Sequence, residues 1–162
     1  MRTISVVFLS LVLAGCQSAM DETARTRVEE EVLDWTDEWL ATLEAMDVEA
    51  NLALHRQEDF TWATGGVFYD SWDVYEQWVT GVYEGWQGWD GVWKAREVSV
   101  MNPDEAVVRG LSNDMVTLAD GRRVETRNTW TFYLVRTGEG WKVAHGHSSG
   151  SASAIHAPEP GG

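Results

Sequence analysis

Apolar residues recur at helical spacing near the start of the chain. They follow one another at intervals of three or four residues, which predicts one stripe of an amphipathic helix. The positions are Val28, Val32, Trp35, Trp39, Leu43 and Met46. Acidic side chains occupy the opposite side, so much of the negative charge lies on a solvated face. A short second helix is predicted from Val48 to His55, with Asp47 as its cap.

A second stretch of helical spacing follows a short hairpin. Residues 60–64 and 67–69 read as two strands joined by a Gly65-Gly66 turn. Asp70 or Ser71 then caps a helix predicted to end near Glu84. From residue 92 the spacing changes to that of strands, predicted at 92–101, 105–118, 122–136 and 140–149. This order predicts an α+β fold, with helices packed on one face of a curved antiparallel sheet.

The last two strands predict a buried face that is apolar near the turn and increasingly polar away from it. A four-residue loop would pair Arg136 with Trp141, which places alternate residues of both strands on one face. That face would carry Asn128, Trp130, Phe132, Leu134, Trp141, Val143, His145, His147 and Ser149. Such a wall, aromatic with a few converging polar groups, is typical of a ligand cavity. The two histidines are readable first as core residues, then as pocket lining, and last as catalytic groups.

The N-terminus has the layout of a secretory signal. Met1 and Arg2 precede an apolar run over residues 4–13, and Leu13-Ala14-Gly15-Cys16 resembles the bacterial lipobox. The alternative is an ordinary signal peptide that happens to carry a cysteine. The resemblance implies a signal peptide over 1–15, acylation of Cys16 with chains such as palmitate, and a tether over 16–25. It also implies an outer-membrane lipoprotein facing the periplasm of a Gram-negative bacterium. A domain over 26–150 and a disordered tail over 151–162 complete the predicted organisation.

Composition narrows the function classes. The chain has 162 residues with 12 Lys and Arg against 26 Asp and Glu, and the formal charge of −14 argues against a nucleic-acid partner. One cysteine excludes a disulfide scaffold and a four-cysteine metal site. His145 and His147 could reach one ion, but no Asp, Glu or Cys is placed to complete a site, so neither a metal nor a cofactor is expected. The 10 tryptophans fall mainly on elements that would line one interior.

Several of these segments together resemble a known family. They are the helix ending in Met46-Asp47, the Phe60-Thr61-Trp62 hairpin, the helix after Ser71, and the ending from Gly140 to Gly150, which reads GWKVAHGHSSG. The resemblance is to the SnoaL-like branch of the nuclear transport factor 2-like superfamily. The ending is similar to the last strand of the association domain of calcium/calmodulin-dependent protein kinase.

The resemblance implies a cone, in which a strongly bent sheet wraps around a long helix and leaves a pocket at its open end. It also implies a homodimer formed through the outer face of the sheet, here Arg127, Thr129, Thr131 and Tyr133. The family includes cyclases, isomerases, dehydratases and binding or assembly domains without catalysis, so the fold does not settle the function.

The resemblance implies a buried carboxylate base if this chain is a cyclase or an isomerase of the family. Candidates here are Glu58, Asp59, Asp70 and Glu97, none of which sits in a specific pattern, and Asp70 is also readable as a helix cap. His147 with Tyr69 or Tyr83 is a second candidate for acid–base chemistry.

The favoured hypothesis is therefore a lipid-anchored domain whose aromatic pocket binds a small apolar or aromatic molecule without catalysis. The predicted pocket comprises Trp39, Trp62, Tyr69, Trp78, Trp93, Asn128, Trp130, Phe132, His145, His147 and Ser149. The alternatives are an isomerase, cyclase or dehydratase that uses His147 or Asp70, and a non-catalytic dimerising domain whose cone is filled by its own indoles.

Overall fold

The structure is a computed structural model that describes residues 20–156. The predicted signal peptide, Cys16 and the last six residues of the predicted tail lie outside the described residues. Within the described part of the chain, no helix is both long and apolar enough to cross a membrane.

Three helices precede or interrupt the sheet. They are α1 (Glu22–Glu44), α2 (Val48–Ala53) and α3 (Trp72–Glu84). Asp21 caps α1 by accepting a hydrogen bond from the Ala24 amide at 2.8 Å, so the helix begins inside the segment predicted to be a tether. Asp47 caps α2 as predicted, and Ser71, rather than Asp70, is the N-cap residue of α3.

Six strands form one sheet. They are β1 (Thr61–Thr64), β2 (Val67–Tyr69), β3 (Trp86–Asn102), β4 (Glu105–Leu118), β5 (Arg123–Thr137) and β6 (Gly140–His156). The sheet order is β2-β1-β6-β5-β4-β3, and every pair is antiparallel except β1 with β6. The fold is the predicted α+β cone, with a mixed sheet because β1 and β6 run in the same direction.

Two strand boundaries differ from the prediction. β3 begins at Trp86, directly after α3, and not at residue 92. β6 continues to His156, so residues 151–156, predicted to be disordered, pair with β5. The period-2 pattern is weak in this Ser- and Ala-rich segment, which is why hydrophobic patterning does not detect the strand.

The indoles of α1 form the centre of the core. Trp39 is 3% exposed and packs edge-on against Trp130 at a centroid distance of 4.9 Å. It also packs at a tilt against Phe132 at 5.0 Å. Trp93 approaches the Trp39 ring at 6.1 Å, and Trp35 packs against Phe132 at 5.5 Å. These geometries match the offset and edge contacts that aromatic pairs prefer. The apolar stripe predicted from spacing is therefore the face that the sheet wraps around.

Glycines on the concave face make room for these large rings. A Cβ atom at Gly146 would lie 2.0 Å from Cε3 and Cζ3 of Trp62, and one at Gly110 would lie 2.5 Å from Cζ3 of Trp93. Each indole thus lies flat against a stretch of backbone that carries no side chain. The middle glycine of the His-Gly-His sequence is there because Trp62 needs its space.

Arginine contacts fix α1 against the rim of the sheet. Arg96 on β3 pairs with Asp37 and donates a hydrogen bond to the Thr36 hydroxyl at 2.6 Å. Arg136 on β5 pairs with Glu31, and its guanidinium lies 4.4 Å from the ring centroid of Trp141. Part of the acidic face of α1 therefore serves packing, while the remainder is solvated.

A bulge in β6 reverses the predicted facing of its second half. The predicted pairs Arg136–Trp141 and Leu134–Val143 are confirmed, but Tyr133 then pairs with His145, so Ala144 is an extra residue. The predicted placement of His145, His147 and Ser149 on the inner face is therefore wrong. All three side chains are exposed on the outer face, and Gly146, Ser148 and Gly150 face inward instead. Val143 and Ala144 are both fully buried. Because these two consecutive residues face inward, every later side chain of β6 changes face relative to the prediction.

A buried polar pair joins α2 to α3. His55 lies between them, with Nδ1 2.9 Å from the Asn51 carbonyl and Nε2 3.0 Å from the Tyr75 hydroxyl. A neutral ring that donates from Nδ1 and accepts at Nε2 satisfies both contacts. Burial lowers the pKa of His55 to about 4, because the charged form loses its hydration.

We expect Gly146→Ala to destabilise the fold by about 1–3 kcal/mol, because the added methyl group overlaps the Trp62 ring. Urea unfolding followed by tryptophan fluorescence measures this effect. Gly138→Ala is the matched control, since a Cβ there meets no atom within 4 Å. Equal unfolding midpoints for the two variants would contradict the close approach of Trp62.

We also expect acid to destabilise the protein through His55. The unfolded chain binds a proton near pH 6.5 and the folded chain only near pH 4, so stability falls as pH decreases between these values, by up to about 3 kcal/mol. His55→Gln removes the titrating ring and should flatten the dependence of the unfolding free energy on pH over this interval. His147→Gln, at an exposed position, should keep the wild-type slope. A steep slope retained in His55→Gln would show that another group is responsible.

Candidate functional site

A single buried carboxylate side chain lies on the concave face among the described residues. Asp114 on β4 is 4% exposed and lies between Gly91 on β3 and Thr126 on β5. The inward residues of β4 alternate regularly, and Ser112 precedes Asp114 on the same face. Asp114 therefore projects from the concave face of the sheet, between β3 and β5.

A short hydrogen-bond chain holds one oxygen of this carboxyl group. The Ser112 hydroxyl donates to Asp114 Oδ2 at 3.0 Å, and the Asn128 side-chain amide donates to the same oxygen. The Trp130 indole N–H in turn donates to the Ser112 oxygen at 2.9 Å. Ser112 of β4 and Asn128 and Trp130 of the adjacent strand β5 together orient Oδ2.

The other oxygen is buried without a hydrogen-bond partner. Among residues 20–156, no group hydrogen-bonds to Asp114 Oδ1. Burial raises the pKa of Asp114, while the hydrogen bonds from Asn128 and Ser112 act in the opposite direction. A buried acceptor left unpaired costs free energy, which makes this atom the most unusual polar group of the interior.

Indole rings surround the carboxyl group. A Cβ atom at Gly91 would lie 2.2 Å from Cη2 of Trp89 and 2.7 Å from Asp114 Oδ1, so ring and carboxyl share the space above that glycine. The indole N–H groups of Trp39 and Trp93 are also buried without a partner in the described chain. The site therefore combines an acid, unpaired donors and aromatic surface.

A cleft approaches this site from the hairpin side. Its volume is about 500 Å³, and it lies between the β1–β2 hairpin and β6. Its lining residues are Ala63 to Phe68, Asn128, and His147 to Gly150. Asn128 belongs both to the cleft wall and to the hydrogen-bond chain. Asp114 itself lines a second cavity of about 470 Å³, formed by residues 90–92, 113–115 and 125–127. A Cβ at Gly150 would lie 1.6 Å from Asn128 Oδ1, so glycine is required beside it.

The predicted aromatic residues fall into two groups. Trp39, Trp93, Trp130 and Phe132 pack around the centre of the cone beside the Asp114 network. Trp62, Tyr69 and Trp78 pack instead around Tyr75 of α3, at centroid distances of 5.4, 6.1 and 5.8 Å. These rings contact one another directly, so much of the interior is occupied by side chains.

The predicted polar residues do not lie on one face of the sheet. Asn128 faces inward and touches Asp114, whereas His147 and Ser149 reach the same cleft from the outer face. His145 is bound to the Thr61 hydroxyl through Nδ1 at 2.7 Å and stacks on Tyr133 at 5.5 Å. The suggested combination of His147 with Tyr69 or Tyr83 does not form, because both tyrosines are buried and His147 lies outside.

The carboxylates proposed as bases from the sequence do not enter the cone. Glu58, Asp59, Asp70 and Glu97 are all exposed. Asp114 was missed, although a sequence signal for it exists. In Ala106-x-Val108-x-Gly110-x-Ser112-x-Asp114-x-Val116 the alternation that buries the apolar members also buries the acid. Within residues 20–156, no three His, Cys, Asp or Glu side chains are grouped to hold a metal ion.

Comparison with solved structures finds the same fold in proteins of low sequence identity. A proposed scytalone dehydratase from Novosphingobium aromaticivorans has a TM-score of 0.72 at 13% identity, covering 86% of this chain and 97% of that chain. A proposed calcium/calmodulin-dependent protein kinase II association domain from Xanthomonas campestris has a TM-score of 0.67 at 21% identity, covering 76% and 88%. A hexachlorocyclohexane dehydrochlorinase from Novosphingobium barchaimii has a TM-score of 0.66 at 14% identity, covering 87% and 96%.

These likenesses establish the fold and leave the activity open, because one architecture here carries several chemistries. No curated protein sequence matches the chain significantly. The family model described as SnoaL-like domain matches residues 32–153, which include the second half of α1, strands β1 to β5, most of β6, and Asp114. The chain therefore belongs to the SnoaL-like family of the nuclear transport factor 2-like superfamily.

Proposed function

We propose that the interior around Asp114 binds a small apolar or aromatic molecule bearing one hydrogen-bonding group. The observation that carries this proposal is the buried, unpartnered Oδ1 of Asp114. The rest of the carboxyl group is fixed by Ser112 and Asn128, so Oδ1 is held in place without a partner of its own.

The raised pKa of Asp114 defines the complementary ligand group. A protonated carboxyl group donates one hydrogen bond, and the oxygen of a carbonyl or hydroxyl group accepts it. Pairing a buried polar group that otherwise lacks a partner contributes about 1–3 kcal/mol. The contact at Oδ1 therefore provides specificity for the ligand, while other contacts provide most of the binding free energy.

The aromatic surface supplies that affinity. Trp89, Trp93 and Trp130 present rings near the acid, and burial of an aromatic ligand against such rings is favourable. Access runs through the cleft, where rotation of the Asn128 amide away from Asp114 opens the way. Because the described rings already contact one another, binding includes rearrangement of at least one indole.

Substitution of Asp114 tests the proposal. We expect steroids, polyketides or aromatic acids to quench tryptophan fluorescence, and Asp114→Leu to weaken binding of carbonyl-bearing ligands about 5- to 150-fold. Asp114→Asn keeps a donor and should retain more affinity than Asp114→Leu. Wild-type affinity should fall as pH rises through the pKa of Asp114, because the deprotonated acid no longer donates, and Asp114→Asn should be insensitive to pH.

Asp70→Asn is the control, since this carboxylate is exposed. Unchanged affinity in Asp114→Leu would remove Asp114 from the binding site. Absence of quenching by every compound would favour a cone that is filled by its own indoles.

A second candidate function is proton transfer on the bound molecule. It is favoured by the same acid, because a carboxyl group whose pKa is raised by burial is a common feature of acid–base sites. Asp114 would then act as the acid–base group of an isomerase, cyclase or dehydratase. Mass spectrometry of the same compounds after incubation distinguishes the two functions. Turnover that survives in Asp114→Asn would exclude Asp114 as the catalytic group.

We also propose that the domain is attached to the outer membrane, facing the periplasm, by acylation of Cys16. The support is the sequence Leu13-Ala14-Gly15-Cys16 after an apolar run. Five residues separate Cys16 from the start of α1 at Glu22, so the tether would span at most about 20 Å. Two or more acyl chains give stable anchoring, whereas one chain binds only marginally.

We expect the full-length chain expressed in a Gram-negative host to incorporate an alkyne-labelled palmitate and to sediment with outer membranes. Cys16→Ala should abolish both properties, while Gln17→Ala should leave acylation intact. Sedimentation of Cys16→Ala with membranes to the wild-type extent would contradict the lipid anchor.

A further inference from the structure

Two indole N–H groups near Asp114 lack hydrogen-bond partners. They belong to Trp39 and Trp93, whose ring centroids are 6.1 Å apart, and neither nitrogen has an acceptor among residues 20–156. Most buried polar atoms in folded proteins are hydrogen-bonded, so two unpaired donors beside an unpaired carboxyl oxygen are unusual. Each unpaired donor costs free energy, and a bound group that accepts its hydrogen bond would recover that free energy.

Strand register places these donors beside the hydrogen-bond chain of the acid. Trp93 on β3 pairs with Ser112 on β4, whose hydroxyl donates to Asp114. The same hydroxyl accepts from the indole of Trp130, and Trp39 packs against Trp130 at 4.9 Å. The two unpaired indoles and the carboxyl group therefore border one region of the interior.

The N–H edge of Trp93 is not the edge that packs on the sheet. A Cβ atom at Gly110 would lie 2.5 Å from Cζ3 and 3.2 Å from Cε3 of this ring. Both carbons belong to the benzene edge of the indole, remote from Nε1. The benzene edge thus covers Gly110, and the nitrogen is left for another contact.

These donors add a second requirement for the ligand. An indole N–H group only donates, so its partner is an acceptor such as a carbonyl, hydroxyl or ether oxygen. A carboxylate would also accept, but none of the buried polar side chains in the described part of the chain is Lys or Arg. Arg96, whose Cζ lies 5.8 Å from the centroid of Trp93, is already paired with Asp37. A buried carboxylate ligand would lack a countercharge here, which favours a neutral oxygen.

We infer that the ligand is a neutral aromatic or alicyclic compound with two oxygen atoms, one bound at Asp114 and the other by the indole N–H groups of Trp39 and Trp93. This inference rests on the proposed function, because it extends the same site from one polar contact to two. It excludes an ammonium group at the second position, since that group has no acceptor.

Matched ligands test the second contact. α-Tetralone is an aromatic ketone with one oxygen, and a hydroxyl or a methyl group can be placed at each position of its aromatic ring. The methyl group is close in size to the hydroxyl but accepts no hydrogen bond. We expect isothermal titration calorimetry to show at least one hydroxy isomer that binds about five-fold or more tightly than the methyl compound substituted at the same position.

Substitution of the indoles identifies the donors. Trp39→Phe and Trp93→Phe keep an aromatic ring and remove the N–H group, so both ligands lose ring contacts but only the hydroxy compound loses a hydrogen bond. We expect these variants to reduce the preference for the hydroxy compound by about five-fold or more. Where a phenylalanine variant unfolds, benzothienylalanine at the same position replaces the N–H group with sulfur in a ring of nearly the same shape.

Trp62→Phe is the matched control. The indole N–H group of Trp62 is also buried without a partner in the described chain, but its ring packs against Tyr75 in the other aromatic group, at 5.4 Å. This variant should leave the preference for the hydroxy compound unchanged.

The outcomes separate this inference from the proposed function. If none of these ketones binds, or if all bind equally well in Asp114→Leu, the proposed function fails for this class of ligand and the inference fails with it. If the ketones bind through Asp114 but no hydroxy isomer is preferred over its methyl counterpart, only the second contact is wrong. A preference that survives in both Trp39→Phe and Trp93→Phe, or that is lost equally in Trp62→Phe, would also overturn the inference.

Discussion

The packing of indole rings against backbone without side chains is the constraint on which this structure depends. A small α+β domain with so many tryptophans needs space for rings larger than any other side chain, and it finds that space above glycines of the concave face. Trp62 lies over Gly146, Trp93 over Gly110 and Trp89 over Gly91. The central helix then seats Trp39 between the rings of the sheet. The position of α1 is tied to this arrangement, because Trp39 contacts Trp93 and Trp130 on the inner face of the sheet.

The same packing determines what the interior can do. Because rings cover most of the concave face, the few polar groups there are largely separated from water and bind mainly to one another. Asp114 is the case with chemical consequence, since burial raises its pKa and its neighbours Ser112 and Asn128 bind only one of its oxygens. A solvated carboxylate would have neither property. The related folds, which include a proposed dehydratase, a dehydrochlorinase and a proposed association domain, show that this architecture accommodates both chemistry and assembly.

One extra residue decides which side chains reach that interior. At Ala144 the alternation of β6 shifts, so a strand that begins with Trp141 and Val143 inward continues with Gly146 and Ser148 inward. The histidines that dominate the sequence of this strand lie outside, and the glycine between them faces the core. A bulge adds one unpaired residue to a strand, and the alternation of hydrophobic and polar residues does not predict where it occurs. The prediction of a histidine-bearing pocket failed for this reason, while the prediction for the straight strand β5 was confirmed at Asn128, Trp130 and Phe132.

The sequence by itself determined the elements with a strong period: the stripe from Val28 to Leu43, the cap at Asp47, and the four-strand meander. It left Asp70 and Ser71 as alternative caps of α3, and the structure selects Ser71. These features are local, because helix spacing and strand alternation reflect which face of one element is buried. The parallel pairing of β1 with β6, the bulge at Ala144 and the isolation of Asp114 Oδ1 were decided only by the tertiary structure. Each depends on which distant segments meet, and the burial that perturbs a carboxyl group is a property of everything packed around it.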